Sequence, residues 1–142
     1  MLKKIPAVLP PKLVMYMMDM GHSDRLLLAD GNYPASTCAK RIIRLDGVEI
    51  PELLEAVIKF FPLDDFVPDP VTLMKPKDTE PLPEIWSKYR NILAVSEEGG
   101  KFKDFSYMER MEFYERSRTA YVIVQTATKE RYANIMLQKG VI

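Results

Sequence analysis

The chain has 142 residues, 47% of them apolar and 28% charged, which suffices for one domain with a real core and is ordinary for a water-soluble globular protein. Lys and Arg together number 20, as do Asp and Glu, so no net field exists to draw nucleic acid or an anionic membrane. Cys38 is the only cysteine, which excludes an intrachain disulfide or a thiolate metal site and fits a reducing cytosol.

The start Met1-Leu2-Lys3-Lys4-Ile5-Pro6 lacks the apolar stretch of a signal peptide. No apolar run approaches the roughly 20 residues that span a bilayer. The expectation is a soluble, cytoplasmic protein forming a single domain over residues 1–142. In chain order, Pro10-Pro11 opens a helix with Leu13, Val14, Met17 and Met18 on one face, and Gly21 closes it in glycine's helix-terminating role. The methionines at 15, 17, 18 and 20 are read as flexible core filling. Leu26-Leu27-Leu28-Ala29 is a short continuous apolar run, as expected of a buried strand, and Asp30 to Pro34 is a turn. Arg41 to Leu45 is a second strand, stopped by Asp46-Gly47. The cluster Lys40-Arg41-x-x-Arg44 reads as a solvated strand end.

Pro51 begins an amphipathic helix through Leu53, Leu54, Val57, Ile58 and Phe61, ended by Pro62. Between Pro62 and Pro83, which hold six of the eleven prolines, only Val71 to Met74 reads as a strand. Asp64-Asp65 in this stretch reads as a solvated turn. A helix follows Pro83 with Ile85, Trp86, Tyr89 and Ile92 on one side, then a strand near Phe105 to Glu109 and a helix from about Met111 to Thr119. Strands at Tyr121 to Val124 and Asn134 to Leu137 flank a polar loop. The order αββαβαβαββ is that of an α/β layered domain with one mixed sheet between helices.

His22 is the only histidine, in the run Met20-Gly21-His22-Ser23-Asp24. Its unperturbed ionisation near neutrality lets it give and take protons under ordinary conditions. A helix-ending glycine beside it and Asp30 at the end of the following strand place both groups at the rim of a sheet, where ligands collect. The competing assignment is a histidine that only meets the negative end of the preceding helix. Dinucleotide and P-loop phosphate motifs, zinc clusters and the nucleophile elbow are all absent. The remaining inventory of one proton carrier, a few carboxylates and polar strand ends suits a reaction that only relocates protons, with no metal, cofactor or covalent intermediate.

Met20-Gly21-His22-Ser23-Asp24 followed by Asp30 and Pro34 resembles the signature of the L-fucose mutarotase family, relatives of the D-ribose pyranases. Ile43 to Gly47, Leu53 to Val57, Tyr89-Arg90-Asn91, Phe113 to Arg116, Tyr132 to Ile135 and Lys139-Gly140 extend the resemblance in order to the C-terminus. It implies a three-layer α/β/α fold and an isomerase that interconverts anomers of a free monosaccharide without a cofactor. It also implies ring-like homo-oligomers, commonly decamers, with sugar sites near subunit boundaries.

Carried over residue by residue, the resemblance makes His22 the proton donor and matches Asp30, Arg110 and Tyr132-Ala133-Asn134 to sugar-binding positions. Asp30 would orient the imidazole or accept hydrogen bonds from sugar hydroxyls. Arg110 would donate to hydroxyls, unless it pairs with Glu112 or Glu115 on the surface. Arg110 and the Phe113 to Arg116 helix follow the fucose pattern, whereas Tyr132-Ala133-Asn134 is worded as in the ribose enzymes, and L-fucose is favoured over ribose. The alternatives are a D-ribose pyranase and a non-catalytic monosaccharide-binding or transport-accessory module.

Overall fold

The computed structural model describes all residues, Met1–Ile142. The elements in order are α1 (Pro11–Asp19), β1 (Arg25–Ala29), α2 (Ala35–Cys38), β2 (Ile42–Leu45), α3 (Ile50–Ile58), β3 (Val71–Met74), α4 (Ile85–Val95), β4 (Ser106–Met108), α5 (Arg110–Ser117), β5 (Val122–Thr126) and β6 (Ile135–Gln138). The six strands form one sheet in the order β2-β5-β1-β6-β3-β4. Strands β2, β5 and β1 are parallel, as are β3 and β4. Only β6 runs against its neighbours β1 and β3, so the other five strands share one direction.

A sheet covered on both faces buries alternate residues in two different cores, so its strands read as unbroken apolar runs. Leu26, Leu28, Val122, Val124, Ile135 and Leu137 enter the larger cluster of 28 buried residues under α1, α3 and α4. Leu27, Ala29, Ile123 and Met136 enter the smaller cluster of 10 with Cys38 of α2 and Phe113 of α5. The result is the expected three-layer α/β/α arrangement.

Several local expectations are corrected. Gly21 is not a left-handed cap. Met20 leaves α1 in an extended conformation (φ −64°, ψ 133°), and the positive φ of this turn belongs to Ser23 (69°). Of the four clustered methionines, Met17 and Met20 are buried but Met15 and Met18 are exposed, Met18 at 81%. The short helix α2 was not foreseen, because four residues carry no readable periodicity. Strand β5 runs on to Thr126, whose Oγ1 donates to the Ala29 carbonyl, while the Gln125 side chain donates to the carbonyls of Gly31 and Tyr33. The basic cluster is engaged rather than simply solvated, with the Arg41 guanidinium 3.9 Å from the Tyr121 ring centroid and Arg44 donating to Gln125 Oε1 at 2.7 Å.

Helix α4 fixes the segment entering β6 through two donors. Trp86 Nε1–H donates to the Tyr132 carbonyl at 2.9 Å, and the buried Tyr89 hydroxyl donates to the Ala133 carbonyl at 2.7 Å. Removing one partner of a buried hydrogen bond leaves the other desolvated and unpaired, at a cost of about 1–3 kcal/mol. Tyr89→Phe is therefore expected to lower the unfolding free energy by about 1–3 kcal/mol, measured by urea denaturation at one fixed protein concentration.

Candidate active site

Asp30 stands where β1 ends and is 6% exposed. Its Oδ1 accepts the Asn32 amide at 2.9 Å, and its Oδ2 accepts Asn134 Nδ2–H at 2.8 Å. The Asp30 amide in turn donates to Asn134 Oδ1 at 2.9 Å, so the two side chains are locked reciprocally across the strands. Burial raises the Asp30 carboxyl above its ordinary 3.8, outweighing the hydrogen bonds from Asn32, Asn134 and Tyr33. Asn134 opens the approach to β6, the one reversed strand. It can therefore meet Asp30 at the end where the parallel strands finish.

Around this pair lies a cavity of about 480 Å³ lined by Asp30, Asn134, Arg110 and Tyr132, together with Tyr33, Met74, Lys77, Glu80, Tyr114 and Arg131 among others. The volume falls within the range of small-molecule sites. It opens at the carboxyl ends of β1, β3 and β4, the rim at which open α/β sheets bind ligands. Arg110 begins α5 there and forms no ion pair with Glu112 or Glu115, Glu115 pairing instead with Arg118 at 3.5 Å. Tyr132 holds the left-handed backbone conformation (φ 58°), an uncommon state for a bulky residue that costs on the order of 1–3 kcal/mol. Its hydroxyl donates to Glu80, whose other oxygen accepts Arg131 at 2.9 Å. Donation from Tyr132 holds the Glu80 carboxyl below its usual range.

Ala133 does not line the cavity. Its side chain is fully buried in the larger core, and its carbonyl belongs to Tyr89. The position contributes backbone, and its small size lets Tyr132 and Asn134 on either side turn toward the cavity while α4 packs beneath.

His22 lies elsewhere. It precedes β1 whereas Asp30 follows it, so the two sit at opposite rims of the sheet. The five residues of β1, at about 3.3 Å each, put about 17 Å between those rims. The side chain is 41% exposed, and its Nε2 lies 3.2 Å from both oxygens of Asp64, with the Phe66 ring centroid at 5.0 Å. Asp64 is fully buried, which overturns the solvated-turn assignment for it, while its neighbour Asp65 is exposed as expected. Its oxygens also accept the Phe66 amide at 3.0 Å and Gln138 Nε2–H at 2.8 Å. Burial would push this carboxyl up, but donation from Gln138, the Phe66 amide and His22 holds it below 3.8. His22 therefore does not simply meet the end of α1.

Of the residues singled out from the sequence, the structure gathers Asp30, Arg110, Tyr132 and Asn134 in one cavity and leaves His22, expected beside Asp30, apart from them. The sequence reading missed Asp64, Lys77, Glu80 and Arg131. Glu80 and Arg131 are 51 positions apart and carry no local motif. The available signal for Asp64 was its place directly after a proline-ended apolar helix, where the chain must return to the sheet.

A polar cavity of this size, framed by a buried carboxylate, an amide and a free guanidinium on a doubly covered sheet, defines an α/β protein with a site for a small polar molecule. Residues 3–142 match the RbsD / FucU transport protein family, and the chain belongs to that family. It is similar to a fucose mutarotase of Homo sapiens, 41% identical over 148 residues that cover 99% of this chain and 94% of the relative. Among solved structures, the fucose mutarotase of Streptococcus pneumoniae in complex with L-fucose superposes with a TM-score of 0.91 at 42% identity, covering 99% of both chains. FucU from Bifidobacterium longum gives a TM-score of 0.91 at 37% identity, covering 97% of this chain and 98% of that one.

The opposite shifts of the two buried carboxylates give opposite pH signatures. A raised carboxyl contributes stability that is present below 3.8 and lost as pH rises through its folded value. A lowered carboxyl contributes stability that is present above 3.8 and lost as pH falls through its folded value. Unfolding free energies of Asp30→Asn, relative to the parent protein, should shift in the variant's favour as pH rises above 3.8. Those of Asp64→Asn should shift in the parent's favour as pH rises toward 3.8 from below. Denaturant melts across an acid-to-neutral pH series check both signs.

Proposed function

We propose that this protein is a fucose mutarotase, an isomerase that interconverts the α and β anomers of free L-fucose by acid–base ring opening and closing. The observation that carries the reading is the cavity holding Asp30, Arg110, Tyr132 and Asn134, in a chain similar over 99% of its length to a fucose mutarotase complexed with L-fucose.

Anomer exchange breaks the bond between the anomeric carbon and the ring oxygen, turns the carbonyl, and closes the ring on its other face. Opening removes a proton from the anomeric hydroxyl and adds one to the ring oxygen, so no net proton, redox partner or covalent adduct is needed. His22 carries one of these protons, and Asp30, its carboxyl raised by burial, serves the other while anchoring a sugar hydroxyl. Arg110 donates to hydroxyls in a fixed fork, and Asn134 keeps Asp30 oriented. Tyr132 offers its ring to the apolar face of the sugar. Positioned acid and base groups contribute about 10²–10⁴-fold each, a scale that suits a reaction already measurable in water.

Because β1 holds His22 away from Asp30 within one chain, the active site is assembled between two copies, His22 of one copy meeting the cavity of another. The assembly we propose is a homodecamer, as the family resemblance leads one to expect. Two apolar side chains support contact surfaces at both halves, Phe66 (71% exposed) beside His22 and Met111 (64% exposed) beside Arg110. A cytosolic location accords with the single unpaired Cys38.

Saturating one anomeric proton of L-fucose by nuclear magnetic resonance and following transfer to the other reports the exchange. His22→Ala, folded and assembled, should abolish the enhancement, and an unchanged rate would refute the role of His22. L-Fucose binding without accelerated exchange in the parent protein would identify a binding module, and faster exchange of D-ribose would identify a pyranase.

The shared site makes a separate prediction. His22→Ala and Asp30→Ala should each be inactive alone, yet refolded together at equal amounts they should recover about a quarter of the parent rate, the fraction of boundaries joining two intact halves. No recovery from confirmed mixed assemblies would place both residues in one chain's own site.

A further inference from the structure

We infer that Asp64 is the positioning residue of His22, holding its Nε2–H so that the proton exchanged with the sugar passes through Nδ1. The inference rests on the role proposed for His22 and adds the nitrogen that works and the side chain that selects it.

The geometry leaves Asp64 few other roles. It is fully buried 42 positions away from His22, on the loop after α3, and both its oxygens lie 3.2 Å from the imidazole Nε2. An ionised carboxylate only accepts hydrogen bonds, so Nε2 must be the donor, and in the neutral ring Nδ1 then carries the free lone pair. The carboxylate is itself immobilised from three sides. Oδ1 accepts the Phe66 amide, Oδ2 accepts Gln138 Nε2–H, and the Asp64 amide donates to the Gln138 carbonyl at 3.1 Å. The turn that bears His22 is tied to the same stretch of chain, because the Ser23 amide donates to the Lys139 carbonyl at 2.8 Å. The Phe66 ring packs beside the imidazole, tilted 54° at 5.0 Å between centroids, while 41% of the side chain remains open to solvent. An imidazole held at one nitrogen by a buried carboxylate and without a hydrogen-bond partner at the other is arranged as a general base is when a carboxylate fixes its tautomer.

Nδ1 therefore takes the proton of the anomeric hydroxyl when His22 is neutral and gives a proton to the ring oxygen when it is protonated, while Nε2 keeps its proton throughout. Asparagine cannot replace Asp64 in this. Its single carbonyl oxygen cannot meet both the Phe66 and Gln138 donors, and its amino group, turned toward His22, would favour the opposite tautomer.

His22 is the only histidine, so its ring nitrogens can be read in the ¹⁵N spectrum of the uniformly labelled, assembled protein without assignment. The neutral ring should be the Nε2–H tautomer, and predominance of Nδ1–H would overturn the inference whether or not any variant folds. In Asp64→Asn the Nδ1–H form should appear. The kcat for L-fucose exchange should fall on the order of 10²-fold with KM unchanged. The double variant with His22→Ala should be no slower than His22→Ala alone. A purely structural Asp64 would lower the melting point yet leave kcat and tautomer as in the parent, and that result would also overturn the inference. Full activity of His22→Ala would instead refute the reading on which it rests, which separates the two failures.

Discussion

The length of β1 governs everything else about this molecule. The strand, buried on both faces from Leu26 to Ala29, carries His22 before its start and Asp30 after its end. Two groups so placed act on one small molecule only if a second copy supplies the missing partner. On that reading the fold does not build an active site by itself. It builds two rigid half-sites, and self-association becomes a chemical requirement rather than a stabilising extra.

Each half-site is held by the reversed strand β6. At its start, Asn134 locks Asp30, and α4 pins the carbonyls of Tyr132 and Ala133. At its end, Gln138 locks Asp64, and the backbone of Lys139 receives the His22 turn. Gly140 completes this clamp by close approach. A Cβ there would stand 2.4 Å from the Leu63 carbonyl oxygen and 2.7 Å from the Asp64 Cα, both backbone atoms that cannot move aside. The glycine lets the loop bearing Asp64 lie directly against the chain leaving β6, and the Gly140 amide donates to the Pro62 carbonyl at 2.8 Å. One antiparallel strand thus sets the geometry at both rims.

Most of the fold was legible because burial on two faces writes itself into composition. Leu26 to Ala29 is an unbroken apolar run, Val71 to Met74 is apolar but for Thr72, and the α3 stripe from Leu53 to Phe61 is entirely buried. What escaped detection was set by tertiary partners. Gln125 and Thr126 extend β5 only because the carbonyls of Ala29, Gly31 and Tyr33 await their side chains. Of the site, Asp30, Arg110, Tyr132 and Asn134 were found through a family resemblance, whereas composition and spacing alone offered only His22 and Asp30 as rim residues. The separation of those two was implicit in the strand between them, since residues on either side of one strand occupy opposite rims. Asp64 was hidden for a simpler reason. A pair of adjacent aspartates looks like a solvated turn unless the donors from His22, Phe66 and Gln138 are known.

The contrast between Asp30 and Asp64 shows how environment divides labour between identical side chains. Both are buried, so desolvation pushes both carboxyls upward. Asp64 gathers enough donors to reverse the push, and a carboxylate fixed in its charged form is suited to hold an imidazole N–H without itself exchanging a proton. The donors to Asp30, Asn32, Asn134 and Tyr33, do not offset its burial, so its carboxyl remains raised, and it faces a cavity, which suits a group that must bind a hydroxyl and trade its proton. On the proposed reading, the same balance of burial against donors suits one carboxylate to positioning and the other to chemistry. It also predicts that neither can take over the other's task through a change at its own position alone, because the difference lies in the neighbours.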